Sequence, residues 1–183
     1  MTIKISLFII FSIIIVSVSY KSLTKIRSHG FFRFFAFEFI LILFLVNVKY
    51  WFITPFSLYQ IISWVFLFIS GYLVIDGYRM LHIKGNADVS RPGEELHKLE
   101  KTTKLVTAGV YKFIRHPLYS SLLFLALGIF LKSVSTLGFI LIIFISFFLM
   151  MTAKNEEKEN SDYFGYEYEN YIKKSKMFIP YIW

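Results

Sequence analysis

The sequence contains no cysteine and lacks several common binding motifs, and each absence excludes a class of site. The absence of cysteine excludes disulfide bonds and thiolate metal sites. The four histidines are scattered along the chain, so no metal site is expected. Glycine-rich phosphate-binding motifs of the GxGxxG and GxxxxGK[ST] types are also missing, so neither common nucleotide-binding fold is indicated.

Long apolar runs dominate what is present. Hydrophobic residues make up 56% of the 183 positions, and several runs approach the length of a bilayer span. The sequence therefore predicts an all-α polytopic membrane protein with about five transmembrane helices. The predicted spans are residues 3–20, 31–52, 61–81, 118–131 and 134–151. In the third span, Ser70 and Gly71 are small enough for close helix contact.

The charge of the chain fits this class of protein. With 20 Lys and Arg against 12 Asp and Glu, the formal net charge is +8. In a soluble protein this excess would favour nucleic-acid binding, but here it indicates loops that face anionic lipid, so no nucleic-acid partner is expected. Basic residues concentrate in the first loop, the third loop and the tail. The positive-inside rule then predicts an N-terminus outside and a cytoplasmic C-terminus.

We expect one membrane domain over residues 1–183. Residues 1–81 supply three N-terminal spans. Residues 82–183 form the second part, with a helical hairpin over 117–151, whose tip is at Lys132, and a cytoplasmic helical tail over 152–183. Gly165 is expected to break or cap a helix in that tail.

A polar, basic segment, TTKLVTAGVYKFIRHPLYSS, occupies residues 102–121 between apolar stretches. Pro117 fits the first position of a helix, where its missing N–H costs nothing, and His116 then lies at the cap. A helix start beside Arg115 can bind an anion. The aromatic faces of Tyr111 and Tyr119 can hold a cation. The segment therefore predicts a site for a ligand that carries both charges.

The motif LVTAGVYKFIRHPLY is followed, after the hairpin, by EEKENSDYFGYEYENY and FIP. Together they resemble the isoprenylcysteine carboxyl methyltransferase family and its phospholipid N-methyltransferase relatives, over residues 95–181. Members of this family are integral-membrane enzymes that use S-adenosylmethionine without a Rossmann domain. The resemblance implies transfer of a methyl group to a lipophilic acceptor, the carboxylate or amine of a small lipid or isoprenoid, with S-adenosylhomocysteine as the product. The cofactor and active site are then expected on the cytoplasmic side.

Side-chain chemistry and the resemblance together indicate site residues. The expected catalytic residues are Arg115, which can hold an anion, and Glu157, which could take a proton from an ammonium acceptor, as could His116. Glu156 is expected to hold an ammonium or another donor of the cofactor. The cofactor-binding residues implied by the family are Thr103, Lys104, Leu105, Val106, Tyr111, His116, Pro117, Leu118, Tyr119 and Glu156.

Three positions depart from the family pattern. Ser121 replaces a glycine, which is a mild change, and Leu96 replaces a polar cofactor contact. Thr152 stands where the prenylcysteine enzymes have an arginine that meets the substrate. A prenylcysteine acceptor is therefore disfavoured, and an acceptor whose head group needs no arginine is expected.

Two questions stay open in the sequence. Membrane sterol reductases that use NADPH share the RHPxY motif, so such a reductase is the alternative function. The pattern of those reductases is not matched at Leu118, Ser121 and Leu122.

The acids within the second and third spans, Glu38 and Asp76, are expected to pair with nearby arginines. The oligomeric state is not indicated.

Overall fold

The fold consists of six helices and two short 3-10 turns in the residues that the structure describes. A computed structural model describes residues 2–26, 28–86 and 102–182. The helices are α1 (Thr2–Leu23), α2 (His29–Asn47), α3 (Leu58–Lys84), α4 (Pro117–Phe130), α5 (Thr136–Phe164) and α6 (Tyr166–Lys174), and the 3-10 turns are Val48–Tyr50 and Gly109–Lys112. Within these ranges the extended structure is limited to isolated bridge residues, such as the pair Ile114 and Lys176. The predicted all-α class is confirmed.

Four of the described helices, α1, α2, α3 and α5, are long and apolar enough to cross a membrane. Helix α4 is apolar but has only 14 residues. At about 1.5 Å per residue it covers roughly 21 Å, less than the roughly 30 Å hydrocarbon core of a bilayer. The protein is therefore an integral membrane protein, and the prediction of about five apolar helices is confirmed.

Helix α5 extends far beyond its apolar part. Ser135 caps its N-terminus by accepting a hydrogen bond from the Gly138 amide at 3.1 Å. The helix passes the predicted end of the hairpin at residue 151 and continues to Phe164. Gly165, with a φ of 57°, separates it from α6, as expected. The acidic side chains of Glu156, Glu157, Glu159 and Asp162 are thus held on a helical extension of a membrane helix.

The core lies where α2, α4 and α5 meet. Ala36 of α2, Ala126 of α4 and Ile145 of α5 are all fully buried there. Aromatic rings extend this contact between α2 and α5. Phe35 stacks on Phe148 with 5.1 Å between ring centroids. Some of the many phenylalanines of the second span therefore pack against α5. Helix α1 packs against α2 at the edge of the bundle.

Small residues bring α3 and α4 together. Ser63 donates a hydrogen bond to the carbonyl of Gly128 at 2.6 Å, and Ser70 donates one to the carbonyl of Ser121 at 2.8 Å. Close contact at Ser70 is confirmed, but the expectation for Gly71 is wrong. A Cβ at Gly71 would meet no atom within 4 Å, because that position points away from α4.

Candidate functional site

The polar segment before α4 is held in place by the end of the chain. The Arg115 amide donates to the Lys176 carbonyl at 2.7 Å, and the Lys176 amide donates to the Phe113 carbonyl at 2.9 Å. Ile114 and Lys176 thereby form a parallel bridge. The first motif and the FIP segment are therefore adjacent backbones, although more than fifty residues separate them in sequence.

The start of α4 adopts the expected form. Pro117 occupies the first turn, and His116 is the N-cap residue. The His116 side chain is buried and stacks on Tyr119, with 5.5 Å between ring centroids. Ser120 Oγ donates to the Phe178 carbonyl at 2.8 Å, which ties this first turn to the chain terminus. The orientation of the His116 ring is thus set by packing on both sides.

Arg115 and Glu157 form the centre of a charged cluster. Arg115 Nε donates to Glu157 Oε1 at 2.7 Å, and His116 Nε2 lies 3.3 Å from the same oxygen. Arg115 Nη1 also donates to the backbone carbonyls of Ile172 and Ser175, at the end of α6. One guanidinium therefore connects the start of α4, the extension of α5 and the end of α6.

Glu156 lies on the other side of the imidazole. Its Oε2 is 3.9 Å from His116 Nδ1, and its side chain is 28% exposed. Unlike Glu157, Glu156 contributes to the wall of a cavity. The two neighbouring acids therefore point to different surroundings.

The turn over Gly109–Lys112 is anchored on α3. The Val110 amide donates to Asp76 Oδ2 at 3.0 Å, so Asp76 holds this turn where the sequence predicted a pair with an arginine. Glu38 likewise accepts a hydrogen bond from Ser12 Oγ at 2.6 Å. Gly109 has a φ of 61°, and a Cβ there would lie 2.6 Å from Met80 Cγ. The turn thus requires glycine for both conformation and space.

These elements enclose a cavity of about 450 Å³, a size usual for small-molecule sites. Its walls come from α1 to α6 and the segment before α4. Three predicted site residues, Thr103, Lys104 and Glu157, do not line it. The predicted residues that do are Leu105, Val106, Tyr111, Arg115, His116, Pro117, Leu118, Tyr119 and Glu156.

Thr103 and Lys104 contact the end of α3. Their amides both donate to the Gly85 carbonyl, at 3.1 and 3.2 Å, and Thr103 Oγ1 donates to the Asn86 carbonyl at 2.7 Å. In this position they hold the start of the segment, and their predicted contact with a cofactor stays a prediction. Leu96 lies outside the described residues.

Several cavity residues were not predicted from the sequence. Arg33 and Phe37 come from α2, Tyr78 from α3, and Tyr168 and Tyr171 from α6. Tyr168 and Tyr171 lie within the second motif but were not assigned to the site. No local pattern marks Arg33, Phe37 or Tyr78, because their position in the cavity depends on helices that meet only in the folded chain.

Three buried tyrosines give the cavity protonated hydroxyl groups. Burial raises the pKa of Tyr111 well above its ordinary value, and the Glu156 carboxylate raises it further. Burial raises the pKa of Tyr171 as well, and that of Tyr168, where Glu156 adds to the effect. Tyr171 donates its hydroxyl proton to the Tyr111 carbonyl at 2.6 Å. At neutral pH these phenols act as hydrogen-bond donors.

Comparison with known proteins assigns the family. A family model described as phospholipid methyltransferase matches residues 58–167, which run from the start of α3 into α6. The chain belongs to the phospholipid methyltransferase family. The match includes α3, α4, α5 and the segment before α4, and so contains most of the cavity wall. Helices α1 and α2 lie outside it.

Two known proteins are similar to part of this chain. Each is named a probable protein-S-isoprenylcysteine O-methyltransferase, one from Oryza sativa subsp. indica and one from Oryza sativa subsp. japonica. Each is 36% identical over 86 residues, which cover 45% of this chain and 44% of the relative. The chain thus spans less than half the length of the relatives it matches. No solved structure matches it.

Proposed function

We propose that the protein is an integral-membrane methyltransferase that transfers a methyl group from S-adenosylmethionine to a lipophilic acceptor. One observation carries this proposal. The cavity joins His116, Pro117 and Tyr119 of the RHPxY motif to Glu156, which follows forty residues later on another helix. The two motifs that define the resemblance therefore contribute to one site. The family match supports this function over the nicotinamide-dependent reductase.

The residues of the cavity fit the chemistry of the proposed cofactor. S-adenosylmethionine carries a carboxylate, an ammonium, a sulfonium and an adenine. The amides at the start of α4 suit the carboxylate, since the first turn of a helix leaves its N–H groups unpaired. Glu156 suits the ammonium or another N–H donor. The ring faces of Tyr111 and Tyr119 suit a cation such as the sulfonium.

When bound, S-adenosylmethionine supplies an electrophilic methyl group on its sulfonium. The residues of the chain orient the reacting groups. His116 is fixed between Tyr119 and the two acids, and Arg115 holds α5 and α6 against the start of α4. Orientation alone can lower the barrier of such a transfer by about 7–11 kcal/mol in favourable cases. Tyr168 and Tyr171 of α6 complete the cavity wall beside these groups.

The site lies at the polar end of the membrane helices, beside the extension of α5. From the distribution of Lys and Arg we propose that this end is cytoplasmic and that the N-terminus is outside. The cofactor would then enter from the cytoplasm, and the acceptor from the bilayer.

Calorimetry on the purified full-length protein tests the proposal. S-adenosylhomocysteine should bind, and NADPH should not. Glu156→Ala should weaken binding by tenfold or more, because a hydrogen bond to a charged group contributes about 1.5–3 kcal/mol. His116→Ala and Tyr119→Ala should also weaken it. Glu169→Ala, an exposed acid on α6, is the matched control. Unchanged affinity in all three site variants, or tighter binding of NADPH, would refute the proposal.

A further inference from the structure

The extension of α5 beside the cavity has side chains that face three directions. Glu156 and Asn160 are one helical turn apart, and both line the cavity. Because successive residues of a helix are about 100° apart, Glu157 lies about 100° to one side of Glu156, and Glu159 lies about 60° to the other. These two acids therefore flank the face of the helix that forms the cavity wall.

Each flanking acid has a basic partner on a different part of the chain. Glu157 Oε1 accepts a hydrogen bond from Arg115 Nε, just before α4, at 2.7 Å. On the other flank, His29 Nδ1 lies 2.7 Å from Glu159 Oε2. A carboxylate only accepts hydrogen bonds, so Nδ1 is the donor whether the imidazole is neutral or charged. The extension is therefore held on both sides of its cavity face.

His29 is the first residue of α2, and the local structure fixes its position. Ser28 caps the helix by accepting a hydrogen bond from the Phe31 amide at 3.1 Å, and its hydroxyl donates to the Ser22 carbonyl at 3.2 Å. A Cβ at Gly30 would clash with the Ser22 side chain, so the end of α1 packs closely against this turn. The buried imidazole is thus presented by a capped helix start that contacts α1.

The pair formed by His29 continues the contact between α2 and α5 beyond its apolar part. Phe39 stacks on Phe144 with 5.3 Å between ring centroids, and Phe35 stacks on Phe148 with 5.1 Å. A step of four residues toward the start of α2 therefore matches a step of four residues toward the end of α5. This antiparallel register brings the start of α2 to the extension of α5.

We infer that His29 is a positioning residue of the cavity, which acts through Glu159 to fix the rotation of the α5 extension and so the direction of Glu156. The inference rests on the proposed function, in which Glu156 binds the cofactor. A helix bonded on one flank can still turn about its axis, whereas bonds on both flanks oppose rotation in either direction. His29 lies outside the family match, so this support comes from a helix that the family model does not include.

A double-mutant cycle on cofactor binding tests the pair. His29→Ala and Glu159→Ala should each weaken the binding of S-adenosylhomocysteine about threefold or more, as measured by calorimetry on the full-length protein. The double variant should bind no more weakly than either single variant, because the two residues act as a unit. Asp162→Ala, an exposed acid of the same helix, is the matched control and should bind as wild type. Wild-type affinity in both single variants, or losses that multiply in the double variant, would overturn the inference.

Rescue by a conservative variant separates positioning from packing. The side-chain amide of asparagine can place a donor where Nδ1 stands in histidine, so His29→Asn should recover much of the affinity that His29→Ala loses. His29→Leu fills the space without a donor and should stay weak. Equal affinity in His29→Asn and His29→Leu would show that the volume of the side chain, and not its bond to Glu159, is responsible. If His29→Ala does not fold, Glu159→Ala takes its place, since that side chain is partly exposed.

The rotation of the extension can be measured without any ligand. Lys112→Cys and Lys158→Cys place two spin labels at exposed positions of the cysteine-free chain, one on the turn before α4 and one on the extension. Electron spin resonance should give a wider distribution of distances when His29→Ala or Glu159→Ala is added. The same distribution with and without the pair would contradict the inference. Failure of S-adenosylhomocysteine to bind the wild type would instead refute the proposed function, which is a different result from cofactor binding that does not depend on His29.

Discussion

Glu156 and Glu157 are neighbours in sequence, yet they have different surroundings. Successive residues of an α-helix are about 100° apart around its axis, so the two side chains cannot face the same group equally. Glu156 lines the cavity, while Glu157 bonds to Arg115. These contacts favour a ligand-binding role for Glu156 and a positioning role for Glu157. The catalytic roles expected for Glu157 and Arg115 stay predictions.

Glu157→Gln should separate these roles. It keeps the shape of the side chain but removes the charge that Arg115 needs, and should lower the free energy of unfolding by about 1.5–3 kcal/mol. Its effect on S-adenosylhomocysteine affinity should be smaller than that of Glu156→Gln. Thermal unfolding in detergent and calorimetry measure the two effects, with Glu169→Gln as the control. Wild-type stability together with lost turnover would instead show that Glu157 acts in catalysis.

Because Tyr171 is buried, the free energy of unfolding should decrease as the pH rises in the alkaline range. Burial raises its pKa above the ordinary value of 10.0. A group whose pKa is raised by folding stabilises the protein fully below its unfolded pKa, and that contribution is lost as pH rises toward the folded pKa. The melting temperature should therefore fall above about pH 10.

The variant Tyr171→Phe checks this expectation. It removes the hydrogen bond to the Tyr111 carbonyl and should cost about 1–2 kcal/mol at neutral pH. Its loss of stability above pH 10 should be shallower than that of wild type. Tyr166→Phe, an exposed tyrosine of α6, should match wild type in both respects. Identical alkaline profiles for Tyr171→Phe and wild type would contradict the assignment.

At the scale of helices, the close contact between α3 and α4 depends on small residues at the interface. A Cβ at Gly128 would lie 2.8 Å from Leu67 Cγ, whereas one at Gly71 would meet nothing within 4 Å. Membrane helices gain little from apolar burial against lipid and pack most closely through small residues. The spacing of Ser63, Ser70 and Gly128 therefore decides how near α4 approaches α3.

Gly128→Leu should consequently separate the two helices. Overpacking of this kind costs about 1–3 kcal/mol, which should appear as a lower melting temperature and a lower yield of folded protein in detergent. Gly71→Leu places the same side chain on the same helix pair without a clash and is the matched control. An equal fall in melting temperature in both variants would show that the added leucine itself, and not a clash between α3 and α4, destabilises the protein.

At the scale of the whole molecule, the orientation in the membrane can be measured directly. The chain has no cysteine, so single-cysteine variants give an unambiguous label. Lys104→Cys, at the exposed start of the site segment, should be protected from a membrane-impermeant reagent added outside. Phe56→Cys, in the exposed loop between α2 and α3, should react with it. Labelling of position 104 from outside would reverse the proposed topology.

The sequence alone was sufficient for the all-α class, the apolar spans and the start of α4 at Pro117. These features depend on local properties, namely apolar run length and the fixed φ and missing N–H of proline. The two motifs also predicted nine residues of the cavity wall, because each motif lies on one short stretch of chain. Tertiary structure was needed wherever the partner is distant in sequence. It placed Asp76 beneath the turn at Gly109 and left Gly71 without a neighbour.

The same physical reason explains the most consequential difference. Arg33 and Phe37 carry no motif, and their helix lies outside the family match, so no local pattern connects them to residues 102–121. Packing of α2 against α4 and α5 brings Arg33 and Phe37 into the wall of the cavity. An interaction requires only proximity in space, and the folded bundle brings these two residues into the cavity wall from a helix far earlier in the chain.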